Sequence, residues 1–437
     1  MTCKETYTVD EKGNVTCIKQ YSGPSNANKS PRKHFSFSFI MHGIHKCSGT
    51  CYYCSAAKSM SYRDQANKST FKYDWDKAEA KIFEYFKKMG WDESCEGTAN
   101  CAVDVWGGNP LENKEPFKET IEFLETRIKP HFHNFIIHTS GNGLELQHKG
   151  LVNFLKEHNI HYQLSHDGLG QWQRTPGIDP LYWDKTKDNI IDLVNNGNLD
   201  WINCTLSYRN YSFFANIEYW NKWRKEAGIW DKPITIKLNH IYPGTLPVDK
   251  VYDGPDDENL THGQICNGEI IGDLNFRGEQ MNEYLHEFRK LALICLLPNI
   301  EKNKWFAPYL NYTRGQMWRY KELKKGMSPG MCRDFQAGLI DYNFAIDTLG
   351  EYSQCNLIDS SSKVLNSTAS QAPYCKGCKY EHQAECNSCG SENPEPFDPK
   401  TGRCTYKYQW LNTLEEFAQL KVLLDALKKE KSCDCKK

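Results

Sequence analysis

Cys47-Ser-Gly-Thr-Cys51-Tyr-Tyr-Cys54 is the segment of this chain best equipped for chemistry. Three thiolates spaced in this way can hold three corners of a four-iron cubane and leave one iron open to a further ligand. For a bare three-cysteine loop, zinc is an equal alternative. A second group, Cys332, Cys355, Cys375, Cys378, Cys386, Cys389 and Cys404, contains the pairs Cys375/Cys378 and Cys386/Cys389, which by themselves read first as zinc ligands. The chain carries 19 cysteines, and Met1 to Gly13 is too polar to be a signal peptide. A reducing compartment disfavours disulfides, so metal ligation is their expected use and two groups imply two metal-binding regions.

These thiols need a scaffold, and the sequence from His34 to about Gly244 supplies a regular one. Phe35-Ser-Phe-Ser-Phe39 alternates with period two and reads as a strand. A helix is expected from Asp76 to Met89, with Ala78, Ile82, Tyr85 and Met89 on one face and Gly90 as its stop. Strand Ala102–Trp106 follows, then a helix opened by Pro116 and closed by Pro130. The alternation continues with strand Asn134–Thr139, helix Leu151–His158, strand His161–Ser165 and helix Asp188–Asn196. It ends with strand Trp201–Leu206, helix Ser212–Ala227 and strand Ile234–Ile241. Six strands alternating with five helices imply parallel pairing in an α/β fold, a partial (β/α)6 parallel barrel in preference to an open doubly wound sheet.

The remaining divisions follow from composition. Residues 1–33 form an N-terminal extension, 34–245 the partial barrel, and 246–331 a connector holding one helix from Gln280 to Leu297. Residues 332–410, poor in apolar side chains and rich in Gly, Pro and Cys, suit a small unit held together by metal. Residues 411–437 supply a C-terminal helix and tail; Thr413-Leu-Glu-Glu416 reads as a capping box that opens the helix, and the Lys-rich end with Cys433 and Cys435 as disordered.

In parallel barrels the loops at the C-terminal ends of the strands build the active site, and the first cysteine motif follows strand one. Here the chain resembles the radical S-adenosylmethionine (SAM) superfamily, whose signature is CxxxCxxC with an aromatic residue, here Tyr53, before the last cysteine. Trp106-Gly107-Gly108-Asn109-Pro110 after strand two is similar to the family's GGEP motif, which binds the methionine amino group, with Asn109 standing where relatives have Glu. Thr139-Ser140-Gly141 follows strand three where relatives often carry TNG. Ser165-His166-Asp167-Gly168 with Arg174 resembles the SxDG…R signature, which implies that Ser165 contacts the ribose and Arg174 the SAM carboxylate. A lone Gly-Gly or Asp-Gly is usually a turn, but four matches in order at successive strand ends are hard to assign to turns. The resemblance spans Phe35 to Ile241. It implies a [4Fe-4S] cluster on Cys47, Cys51 and Cys54 whose open iron is chelated by SAM, and reductive cleavage to methionine and a 5′-deoxyadenosyl radical that abstracts hydrogen from a substrate.

The second cysteine group resembles the SPASM extension of this superfamily, including the GxxxxC element from Gly350 to Cys355, which implies two auxiliary [4Fe-4S] clusters. By order, Cys375, Cys378, Cys386 and Cys404 belong to the distal cluster and Cys332, Cys355 and Cys389 to the proximal one. Fully ligated relatives have an eighth cysteine shortly before the first, but 321–331 contains none, so the proximal cluster has either an open iron or a donor from elsewhere, such as Cys295. Cys3, Cys17, Cys95, Cys101, Cys204 and Cys266 read as structural.

SPASM relatives mostly modify peptides or proteins, so the resemblance implies a peptidyl substrate and an electron donor such as flavodoxin or ferredoxin. Sulfatase maturases usually carry a catalytic Asp directly after the GxxxxC cysteine; here that residue is Asn356. A nucleoside, nucleic-acid base or other small molecule is the competing substrate class, and a zinc-binding interaction protein the competing non-enzyme. Net charge is -1, from Lys+Arg 54 against Asp+Glu 55, which excludes a broadly basic nucleic-acid surface. The longest apolar run, Leu291 to Leu297, is too short to span a bilayer, and a cytoplasmic protein is expected.

Overall fold

The structure, a computed structural model, describes residues 2–9, 15–22, 33–44, 46–49, 51, 70–199, 201–207, 210–240, 265–266, 269–270, 278–323, 345–353, 379, 397–398, 403–404 and 407–434. An antiparallel hairpin opens the chain, β1 (Thr2–Val9) with β2 (Val15–Ser22). Six strands then alternate with helices: β3 (His34–Ile40), β4 (Asn100–Trp106), β5 (Asn134–Gly141), β6 (His161–Ser165), β7 (Trp201–Leu206) and β8 (Thr235–His240). Each pairs in parallel with the next. The intervening helices are α1 (Trp75–Lys88), α2 (Lys114–Phe123), α3 (Lys149–Glu157), α4 (Lys187–Asn196) and α5 (Phe213–Glu226). The expected partial barrel is present.

Local signals account for the helix ends. Asp74 accepts from the Lys77 N–H at the start of α1, and Ser212 accepts from the Ala215 N–H at the start of α5. Helix α2 does not run regularly to Pro130. It passes into a wide turn, Leu124–Ile128, and a tight one, Lys129–His131, because Pro130 has no N–H with which to continue the ladder.

Period-two alternation gives the sheet two different faces. Phe35, Phe37, Phe39, Val103, Val105, Ile137, Leu164, Ile202, Leu206, Ile236 and Leu238 are buried on the helix side. They meet Ile82 and Phe86 of α1, Phe117 and Ile121 of α2, Leu151 and Leu155 of α3, Leu193 of α4 and Trp220 of α5 in one continuous core. The opposite face is polar. Register aligns Ser38, Asp104, His138 and His161 across β3 to β6, and Ser165, Asn203 and Lys237 across β6 to β8.

Two elements that the sequence reading missed cover the edges of this sheet. Short β11 (Ala345–Asp347) pairs in parallel with β3, making a seventh parallel strand, and β12 (Tyr352–Ser353) folds back on it. Buried His42 and Asp347 fasten this edge, with Nδ1 and Oδ2 2.9 Å apart. The remaining short pairs are β9 (Ile265–Cys266) with β10 (Glu269–Ile270), and β13 (Phe397–Asp398) with β14 (Arg403–Cys404). In the connector, α6 (Gly278–Ile294) matches the expected helix, whereas α7 (Ala307–Leu323) was unforeseen. Tyr312 of α7 donates to Asn239 Oδ1 at the β8 edge, and the Tyr309 hydroxyl donates to the Ile217 carbonyl of α5.

The C-terminal helix α8 (Lys407–Asp434) docks on α6 through Trp410, 4.7 Å from Phe288 between ring centroids, and Phe417. Two readings of this region are corrected. Thr413 is not an N-cap: the helix begins six residues earlier, the Thr413 hydroxyl donates to the Gln409 carbonyl, and Arg289 reaches Thr413 and Glu416. The expected disordered tail is helical as far as Asp434, and Cys435 lies outside the described residues. No helix among the described residues is long and apolar enough to cross a membrane.

Candidate functional site

The loop after β3 is clamped to the ends of β4 and β5. The Met41 N–H donates to the Trp106 carbonyl (2.8 Å) and the Asn109 N–H to the Lys46 carbonyl (2.9 Å). Ser48 donates through both its backbone N–H and its hydroxyl to Glu112 Oε1, at 2.8 and 2.6 Å. Asn142 donates to Ser48 Oγ at 3.1 Å and lies 4.0 Å from Cys47 Sγ. Cys47 and Cys51 converge around Gly49: a Cβ there would lie 3.3 and 3.6 Å from their sulfurs. Cys54 and Tyr53 lie outside the described residues, so two of the three expected cluster thiols are in view.

Gly107 takes a φ of +144°, and a Cβ there would come within 3.1 Å of Met41 Cβ, so the β4 turn can lie against the cysteine loop only as glycine. Gly108 is also left-handed, with φ +56°. The next residue, Asn109, is 2% exposed. Its Nδ2 donates to Glu112 Oε1 and to Glu145 Oε2, each at 3.0 Å, while its Oδ1 is buried and accepts nothing among the described residues.

Arg174 enters from the turn after β6. Its Nη1 lies 3.5 Å from Cys51 Sγ, and its Nη2 donates to Asp167 Oδ1 at 3.1 Å. Asp167 is fully buried and also accepts the Thr205 N–H at 3.0 Å, so it fixes the guanidinium beside the sulfur. Ser165 ends β6, half-buried, on the polar face of the sheet. His166 serves the fold: its Nδ1 accepts the Gly168 N–H (3.0 Å), so Nε2 carries the proton and donates to Asp179 (2.9 Å).

Beneath these loops the polar face presents groups that sequence reasoning did not single out. His138 stacks 5.4 Å from Trp201, His161 lies 5.3 Å from His138, and Lys237 Nζ sits 3.4 Å from the centre of the Trp201 ring. Asn203 donates to Gln163 Oε1 at 3.0 Å. Burial pushes the Asp104 carboxyl up to about 6 against the opposing pull of Lys237. Polar residues at every second strand position were the available signal, since a packed barrel interior would be branched and apolar. Glu112, Asn142 and Glu145 gave no such signal, because they come from two loops, after β4 and after β5, that meet only in the fold.

Of the second cysteine group, Cys332, Cys355, Cys375, Cys378, Cys386 and Cys389 lie outside the described residues, and Cys404 is described only as part of β14. Cys295 is buried beside Arg314, and burial pushes its thiol up to about 11. Cys95, Cys101 and Cys204 are buried and free, as expected of packing cysteines.

No family profile matches the chain, and no characterised protein matches it by sequence. Solved structures do match. That of anSMEcpe with bound AdoMet and a Cp18Cys peptide is 13% identical over 90% of this chain and 99% of that chain, with a TM-score of 0.52. The same protein with AdoMet and a Kp18Cys peptide gives 0.53 at the same identity and coverage. The chain has the radical SAM fold. Within that fold, the cysteine loop, the Gly107-Gly108-Asn109 turn, Ser165 and Arg174 lie at the C-terminal ends of β3, β4 and β6. The donor set fits SAM: an unsatisfied buried acceptor for its ammonium, a fixed guanidinium for its carboxylate, and two converging thiols for iron.

Proposed function

We propose that this chain is a radical SAM enzyme that abstracts hydrogen from a side chain or backbone carbon of a peptide or protein. The observation that carries the reading is Arg174, held by buried Asp167 at 3.1 Å and 3.5 Å from the Cys51 sulfur, where carboxylate recognition and metal ligation would meet. Cys47, Cys51 and Cys54 would hold a [4Fe-4S] cluster, Asn109 and Arg174 the methionyl end of SAM, and Ser165 its ribose. When bound and reduced, the cluster with SAM supplies a 5′-deoxyadenosyl radical. The protein's own work is to bind, orient and exclude water.

The polar lumen would receive the reacting group. Asp104 lies two residues, roughly 7 Å along the strand, below the end of β4. With its carboxyl raised to about 6 it is ionised at neutral pH yet basic enough to accept a proton. It is our candidate for the base that Asn356 cannot be. Residues 332–410 would carry two auxiliary clusters, with flavodoxin or ferredoxin as electron donor. Support for a peptide substrate is that the matched anSMEcpe structures hold bound peptides.

The test is anaerobic reconstitution with iron and sulfide, then SAM and dithionite, with release of 5′-deoxyadenosine as readout. Candidate peptides deuterated at single carbons are scored by deuterium transfer into that product. Colourless protein with zinc and no SAM cleavage would overturn the reading.

A further inference from the structure

Asn109 occupies a position where radical SAM relatives carry a glutamate, and the surrounding geometry indicates where the missing negative charge has gone. Both Nδ2 protons are committed, one to Glu112 Oε1 and one to Glu145 Oε2, each at 3.0 Å. This fixes the orientation of the amide, because the flipped alternative would set its oxygen against two carboxylates. Oδ1 must therefore face the other way, and it does so buried and without a hydrogen-bond donor among the described residues. A buried acceptor left in this state is costly, and a ligand bearing N–H groups would relieve it.

Glu145 is itself 4% exposed. Its Oε1 accepts the Tyr162 hydroxyl at 2.6 Å and its Oε2 accepts Asn109, so both described side-chain partners are neutral donors, a set that serves an ionised carboxylate. The backbone leaves room for it deliberately: a Cβ on Gly141 would fall 1.8 Å from Glu145 Oε1. Burial pushes this carboxyl up, and the nearby Glu112 charge adds to the effect, so a cation arriving on the far side of Asn109 would stabilise the ionised form.

We infer that Glu145 is the positioning residue for the ammonium of SAM, acting through Asn109, whose Oδ1 accepts from the ligand while its amide protons rest on Glu145 and Glu112. The inference rests on the SAM reading above. It also predicts that the glutamate common in relatives is wrong for this chain. Asn109→Glu would remove both amide donors and add a third carboxylate to two already present, whereas combined with Glu145→Gln it would restore one charge and one donor.

The experiment measures SAM affinity of the reconstituted protein by equilibrium dialysis, alongside an analogue lacking the amino group. Thermal melting and iron content serve as folding controls. Glu145→Gln should weaken SAM ~10-fold and leave the analogue unchanged, so that discrimination between the two collapses; a purely structural role would weaken both alike. Asn109→Glu should also weaken SAM ~10-fold, and the double variant should recover most of the loss, a coupling that distant, independent sites do not show. Undiminished discrimination in Glu145→Gln, or tighter SAM binding by Asn109→Glu alone, would overturn the inference, and the second variant decides it if the first does not fold. Failure of the wild-type protein to bind SAM would instead overturn the functional reading itself.

Discussion

Replacing Asp104 with Asn tests whether the polar lumen is a working surface or filler. Burial raises this carboxyl from the ordinary 3.8 to about 6. Between those two pH values the folded chain holds a proton that the unfolded chain has lost, so stability falls as pH rises through the window and stays low above it. At pH 7 the folded protein therefore carries an ionised carboxylate at a net cost of ~2–3 kcal/mol, the pull of Lys237 included. Asn has nearly the same shape and no charge, so Asp104→Asn should be more stable at pH 7 and nearly equal to wild type near pH 4. Melting temperature against pH reads this directly; the gain at neutral pH should be a few degrees and should vanish in acid. If Asp104 also accepts the substrate's proton, turnover should fall by ~10²–10⁴ while SAM affinity stays unchanged. Parallel melting curves for the two proteins across pH 4 to 7 would refute the account of burial, and full turnover by the variant would remove Asp104 as the base.

Ala at Cys47, Cys51 and Cys54 together should abolish 5′-deoxyadenosine formation while auxiliary iron and sulfide remain; continued SAM cleavage would refute the assignment. Arg174→Ala should weaken SAM binding by roughly ten- to a hundredfold, since a charge-assisted pair is typically worth ~1.5–3 kcal/mol, and should also lower the melting temperature by leaving buried Asp167 without its cation. Cys295→Ala should leave the iron content of the reconstituted protein unchanged if the proximal auxiliary cluster has an open iron, whereas loss of iron would make Cys295 its fourth ligand.

The strongly periodic elements were legible because each carries its own signal. Period-two phenylalanines in β3 and the four-three-four spacing of Phe117, Ile121, Leu124 and Ile128 state which face is buried before any partner is known. Helix α7 hid because Gly315 and a mixture of polar and aromatic residues blur its period, and its role at the β8 edge comes from tertiary contacts through Tyr309 and Tyr312. Strand β11 has three residues, too few to show alternation, and exists because β3 offers an unpaired edge. The same distinction separates the site residues. Cys47, Cys51, Gly107, Asn109 and Arg174 sit in short motifs that can be read locally. Glu112, Asn142, Glu145 and Asp104 acquire meaning only when the strand ends converge.

That convergence also explains how so polar a barrel can be stable. The sheet buries most of its apolar side chains against the helices, and the face turned inward contributes Asp104, Lys237, two histidines and several carboxamides among Trp106, Ile136 and Trp201, in place of the aliphatic layers of a closed barrel. Such a face is costly unless its groups satisfy one another or await a ligand. Some do pair, as Asn203 with Gln163 and Lys237 with Trp201, but the indole N–H groups of Trp106 and Trp201 are buried with no acceptor among the described residues. Two indole donors with no acceptor among the described residues, on the same face as a carboxyl raised to about 6, leave that face able to hydrogen-bond a bound ligand, as the proposed function requires.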